Sequence, residues 1–183
     1  MEAIQKRIDE LLAQKDMVII AIDGKCTSGK TTLAAKLADI YGCNVFHMDD
    51  FFLRPEQRTQ SRFAEVGGNI DYERFQTEVL TPLREGGAFS YAPFACSTFT
   101  LSDPVCVTPK KLNIVEGTYS QHPYFGDAYD LKILLHVDEE TQRQRIMQRP
   151  AFLRKRFFEE WIPMENRYFE GFAISDKADM ILK

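Results

Sequence analysis

Ile4, Ile8, Leu11 and Leu12 recur at helical spacing among charged neighbours, which predicts an amphipathic helix over residues 2–15. The pattern then changes. "MVIIAID" (17–23) is an apolar run rich in branched side chains, the pattern of a buried strand. "KTTLAAKLADI" (30–40) returns to a helical reading, with Gly42 as its stop. "NVFHM" (44–48), "LNIVEG" (112–117), "LKILLHV" (131–137) and "ADMIL" (178–182) predict four further short strands. Residues 55–70 are polar and glycine-bearing and predict a loop. "DYERFQTEVLTPLREGG" predicts a helix opened by Asp71 and closed by Gly86 and Gly87, with Pro82 bending or shortening it. "AFSYAPF" and "PVCVTP" flank a short polar link and predict a hairpin. A helical stretch from about 139 to 172 is divided by Pro150 and Pro163. Apolar strands alternating with helices predict an α/β fold: a parallel sheet of five strands flanked by helices. Ligands on such sheets gather at the C-terminal ends of the strands.

Composition narrows the class. The chain has 183 residues, suited to one domain over 1–183 with a full core. A net charge of −4 argues against a nucleic-acid binder working through a broad basic face. The apolar run Met17 to Ile22 is too short to span a membrane and has no signal-peptide pattern. Cys26, Cys43, Cys96 and Cys106 are scattered without a CxxC pair, which suits a reduced cytoplasmic setting and not structural zinc. There is no internal repeat.

"GKCTSGKT" (24–31) fits GxxxxGK[ST], between a predicted strand and a predicted helix. Gly24 and Gly29 allow the backbone to turn tightly around a phosphate. The N–H groups of the loop, from Lys25, Cys26, Thr27 and Ser28 into the helix start at Thr31 and Thr32, are candidates to face the anion. Lys30 supplies a mobile positive charge for the β- and γ-phosphates. The Thr31 hydroxyl is the expected magnesium ligand. Cys26 reads as a small filler.

Phosphoryl transfer to an alcohol also needs a metal and an aligned hydroxyl, and a carboxylate near that hydroxyl can take its proton. Asp49 and Asp50 follow the strand at 44–48. Glu116 ends "LNIVEG", where a lone buried carboxylate wants a cation. Asp71 is equally suited to cap a helix and to bind substrate. Asp50 reads as a cap of the turn into "FFLRP". Arg145 and Arg149 are four apart and predict one helix face, either closing over phosphates or solvated as a plain basic face. His122 is a weak site candidate in its loop. His47 and His136 read as structural strand residues, and Trp161 and Phe169 as core. Glu165 and Arg167 have no assignment.

With these residues assembled, the sequence resembles the uridine kinase family of P-loop kinases, to which nicotinamide riboside kinases are close, from about Met17 to Leu182. "GKCTSGKTT" resembles the family's phosphate loop and "HMDDFF" its acidic segment. "GNIDYERF" resembles the stretch whose aspartate grips ribose hydroxyls, "NIVEGTY" the strand ending in EG, and "VDEETQRQRIMQR" the lid. The resemblance implies a P-loop NTPase fold with a substrate-side hairpin and a lid at about 139–160. It implies Asp49 as base or metal-side carboxylate, Asp71 on the sugar hydroxyls, Glu116 in the magnesium shell, and Arg145 and Arg149 near the phosphates. One departure stands out. The family's base-reading YDxxxH-like stretch matches "YAPFACSTF" (91–99), which has neither that aspartate nor that histidine. Tyr91, Phe94 or Phe99 can stack on a planar base or form the core side of the hairpin.

The expectation is a kinase moving the γ-phosphate of ATP or GTP, with magnesium, to a hydroxyl of a nucleoside-like small molecule, without nucleic acid or membrane partners. The alternatives are a kinase for a non-nucleoside alcohol and a nucleotide-binding regulator with little transfer activity. The oligomeric state is left open, a homo-oligomer included.

Overall fold

The computed structural model describes residues 1–183. The chain forms nine strands and nine α-helices. The strands are β1 (Val18–Gly24), β2 (Asn44–His47), β3 (Phe89–Tyr91), β4 (Phe94–Ala95), β5 (Thr100–Leu101), β6 (Val105–Val107), β7 (Leu112–Glu116), β8 (Leu131–Leu135) and β9 (Met180–Leu182). The helices are α1 (Glu2–Gln14), α2 (Lys30–Tyr41), α3 (Gln60–Ala64), α4 (Tyr72–Phe75), α5 (Thr81–Glu85), α6 (Glu139–Met147), α7 (Ala151–Arg156), α8 (Ile162–Gly171) and α9 (Ile174–Lys177).

Five strands make one parallel sheet in the order β2-β7-β1-β8-β9, as the alternation predicts. Central β1 is buried along its whole length, which accounts for its unbroken apolar sequence. Successive residues face opposite sides. Val18, Ile20 and Ile22 join Ile4, Ile8 and Leu11 of α1 and Leu33 and Leu37 of α2 in one core. Ile19 joins Phe46, Phe51, Phe75 and Tyr168 in the other. The register sets Ile22 beside Glu116 and Glu116 beside His47, so the ends of three strands meet at one rim.

The hairpin forms in two tiers, β3 with β6 and β4 with β5, both antiparallel. Gly42 closes α2 in the left-handed conformation, its N–H donating to Ala38 O at 2.8 Å. The two internal prolines act in one way. Before Pro82, the Thr81 N–H reaches back five residues to Gln76 O, and before Pro163 the Ile162 N–H reaches Phe157 O. Each wide π-turn lets the helical run continue past a residue without an N–H, so 72–85 and 151–171 are continuous. Pro150, by contrast, separates α6 from α7.

The predicted loop at 55–70 contains a short 3-10 turn and α3. Arg62 organises it. Its guanidinium donates to Gly68 O, Ile70 O, Tyr72 Oη and both oxygens of Glu73, and it lies 3.9 Å from the Tyr72 ring centre. No helix is long and apolar enough to cross a membrane. All four cysteines are unpaired.

His122 is buried where the loop after β7 meets the helices. Its ring stacks on Tyr72 at 4.5 Å and meets Phe172 edge-on at 5.0 Å. Gly67 makes room for it, because a Cβ there would come within 2.7 Å of the imidazole. The Nδ1 accepts the Tyr124 N–H at 3.2 Å, so the neutral ring is the one that fits. Burial pushes its pKa down to about 4, from 6.5. The stabilisation carried by the neutral ring is therefore full above about pH 6.5 and is lost as pH falls toward 4. His122→Phe should escape this loss, so its stability relative to the parent should rise by roughly 3 kcal/mol between pH 7 and pH 4. Urea unfolding at both pH values measures the difference, and parallel curves for the two proteins would refute the assignment.

Candidate active site

The chain leaves β1 through a loop in which carbonyl and N–H groups are treated differently. Lys30 Nζ donates to Gly24 O at 2.7 Å and Lys25 O at 3.0 Å. Thr118 Oγ1 also reaches Gly24 O, at 2.9 Å. Gln142 of α6 donates to Cys26 O at 3.1 Å, and Arg145 to Thr27 O at 2.7 Å. Every carbonyl from Gly24 to Thr27 thus has a side-chain donor. The N–H groups of Thr27, Gly29, Lys30, Thr31 and Thr32 donate to no protein acceptor. Thr27 Oγ1 and Ser28 Oγ are buried without a partner. Oriented donors with no acceptor form an anion cradle.

The backbone strain fits that purpose. Thr27 holds φ at 62°, costly for a β-branched residue. Gly24 holds φ at 151°, and a Cβ there would lie 2.4 Å from Leu135 O. The loop therefore packs against β8 at a distance that only glycine allows.

Beside the cradle, the rim carries carboxylates. Glu116 is buried, and its Oε1 accepts from Thr31 Oγ1 at 3.1 Å and meets His47 Nδ1 at 2.5 Å. This corrects the structural reading of His47, which lies at the site. The Glu116 carboxylate raises the His47 pKa. His136 lies just past β8 and is exposed. Asp49 sits in a 3-10 turn after β2, its surface open to solvent. Desolvation still raises its pKa; Lys30 opposes the shift and Glu116 adds to it. A hydroxyl and two carboxylates are donors of the kind that magnesium accepts.

Asp50 does not cap the turn. Its Oδ2 accepts from Tyr91 Oη at 3.4 Å, and its carbonyl oxygen takes Arg74 Nη2 at 2.8 Å. Burial raises its pKa. Asp71 divides its two oxygens. Oδ1 caps α4 by accepting the Arg74 N–H at 3.2 Å. Oδ2 is buried without a hydrogen bond, 3.6 Å from Arg54 Nε and 3.6 Å from Arg74 Nε. A hydrogen bond from Asp71 N–H to Phe51 O, 2.7 Å long, ties it to the turn carrying Asp49. Capping and ligand binding are thus open to different atoms of one side chain.

One open choice is resolved and two expectations need correction. Tyr91 packs its ring against Phe51 and Phe46, and Phe94 is 4% exposed, so the hairpin turns both toward the interior. Phe99 is the exposed ring there, with Arg58 4.9 Å from its centre. Arg149 does not share a helix face with Arg145, because α6 ends at Met147 and the residue before a proline is steered out of the helical region. Trp161 lies outside both core clusters, edge-on to Phe157 and under Arg156. Phe169 does pack against the core, partly buried.

Sequence reading missed a second set of residues around the cradle. Asp23 is fully buried and accepts from Tyr168 Oη at 2.7 Å, Gln121 N at 2.9 Å and Gly24 N at 2.7 Å. Burial raises its pKa to about 6. Glu165 Oε2 accepts the Cys26 N–H at 2.9 Å. Asp23 precedes the motif at a strand end, where a carboxylate signals a site. Gln142, Glu165 and Tyr168 carry no such local signal.

No family model matches the chain. A Schizosaccharomyces pombe protein named "Putative uridine kinase" is 30% identical, the match covering 81% of this chain and 72% of that protein. A solved structure from Bacillus stearothermophilus, described as a "Possible Uridine Kinase", has a TM-score of 0.72 at 22% identity and covers all of both chains, 100% of each. A Thermus thermophilus structure, TT1252, has a TM-score of 0.50 at 20% identity over 92% of this chain and 88% of its own. The structural matches establish a shared fold, and the sequence match establishes kinship. Sheet order, cradle and kinship agree: the chain belongs to the uridine kinase-like family of P-loop kinases.

Proposed function

We propose that the protein transfers the γ-phosphate of ATP or GTP to a hydroxyl of a nucleoside-like small molecule. The observation that carries this reading is the set of unpaired N–H groups of Thr27, Gly29, Lys30, Thr31 and Thr32 beside Thr31, Glu116 and Asp49. The cradle suits a polyphosphate, and Lys30 is placed to swing from the loop carbonyls onto its oxygens. Magnesium, when bound, would neutralise phosphate charge, and Thr31, Asp49 and Glu116 are the residues to hold it. Asp49 stands in the cleft with a raised pKa, which suits a group that takes a proton from an alcohol near neutral pH. Asp71 Oδ2 accepts no hydrogen bond and is held between Arg54 and Arg74; were Arg54 to swing aside, it would be the acceptor for a vicinal diol, which would favour the 5′-hydroxyl of a ribose as acceptor. Arg145 of the lid segment already touches the loop and would stabilise charge on the moving phosphoryl group.

A second reading keeps the chemistry and changes the acceptor to a non-nucleoside alcohol. The inward-turned Tyr91 and Phe94 favour it, since they offer no free ring face to a base.

Asp49→Asn should leave nucleotide affinity nearly intact and lower turnover by ~10²-fold or more. Calorimetry and a coupled ADP assay measure the two, and near-normal turnover would remove Asp49 from the base role. Asp71→Ala should raise the acceptor's KM by about tenfold or more with little change in the nucleotide's, if a diol is what it grips. A screen of nucleosides and small alcohols for acceptor-dependent ADP formation supplies the substrate for both tests, and it separates the two readings.

A further inference from the structure

One donor of the phosphate loop is already taken by an anion. Among its N–H groups, that of Cys26 alone is held by a carboxylate from a distant element, Glu165 of α8 at 2.9 Å. Glu165 is 5% exposed, so it has little room to turn away. One helical turn later Tyr168 donates to Asp23 at the base of the loop. Residues 165 and 168 share a face of α8, and that face grips the loop at its root and near its tip. No salt bridge engages Glu165, and Lys30, whose charge favours the carboxylate, keeps its Nζ on the carbonyls of Gly24 and Lys25. A neutral acceptor would satisfy the Cys26 N–H equally well.

We propose that Glu165 is the resident anion of the phosphate loop: it competes with an incoming phosphate for the Cys26 N–H, opposes the phosphate charge, and so limits how tightly the loop keeps a polyphosphate. The inference rests on the nucleotide-binding reading above. Its consequence is functional, because product release limits turnover in many enzymes, and a loop that binds phosphate through several N–H groups needs a means of letting a diphosphate go. Glu165 is a positioning and affinity-setting residue, with no part in the bond that breaks.

The test titrates inorganic tripolyphosphate, ADP and ATP into the parent protein, Glu165→Gln and Glu165→Ala by calorimetry. Glutamine keeps the size and one acceptor oxygen, removes the charge and puts an NH2 in place of the other oxygen. Both variants should bind each polyphosphate about tenfold more tightly than the parent. A purely structural role for Glu165 predicts the opposite sign, since loosening the loop weakens binding. Unchanged or weaker binding by Glu165→Gln overturns the inference while parent affinity for ATP leaves the nucleotide reading standing. A parent that binds tripolyphosphate but neither nucleotide overturns the nucleotide reading instead, and the tripolyphosphate arm still decides on Glu165. Should Glu165→Ala fail to fold, Glu165→Gln decides alone.

Discussion

A backbone that reserves its N–H groups for an anion cannot use them to hold itself together. The loop from Gly24 to Thr32 meets this constraint by surrendering its carbonyls. Lys30, Thr118, Gln142 and Arg145 each donate to a loop oxygen, and the N–H groups of Thr27 and of Gly29 to Thr32 are left without a protein acceptor. Each hydrogen bond is worth only about 1 kcal/mol net. Their effect is collective, because they hold Thr27 in a backbone conformation it would not choose alone. The donors come from α2, from the loop after β7 and from α6, so most of the domain has to fold before the cradle exists.

The same rim concentrates negative charge. Asp23, Asp49, Asp50 and Glu165 all have raised pKa values with burial as the leading cause. Each is kept from its neighbours by a different partner: Tyr168 for Asp23, Tyr91 for Asp50, the Cys26 N–H for Glu165. Asp49 has Lys30 and His47 as its balancing charges. Carboxylates and unpaired N–H groups thus lie side by side at the strand ends. Adjacent in sequence, Asp49 and Asp50 part company there, one open to solvent and one tied to the hairpin.

Much of the fold was legible because it is written in local terms. Buried strands need branched apolar runs, α2 needs a left-handed stop at Gly42, and GxxxxGK[ST] between strand and helix leaves few alternatives. Asp71 was legible as a cap, and its Oδ1 caps α4, while its Oδ2 lies between Arg54 and Arg74. Arg149 misled because i, i+4 spacing places two residues on one face only while the helix lasts, and Pro150 ends it. Tyr91 and Phe94 were ambiguous because an aromatic on a two-residue or three-residue strand can face either way until its sheet is packed.

What the sequence by itself determined is the backbone: element order, parallel sheet, phosphate loop and the acids at the strand ends. Those follow from periodicity and from the few residues that tolerate a given φ and ψ. Only the tertiary structure decided which distant side chains complete the loop. Gln142, Glu165 and Tyr168 meet residues 23–26 across more than a hundred positions of chain. No local pattern encodes such a meeting, because it depends on how α6 and α8 settle against the sheet once both cores are packed. The same packing sets the burial of Asp23, Glu165 and His122, and with it the direction in which each pKa is shifted.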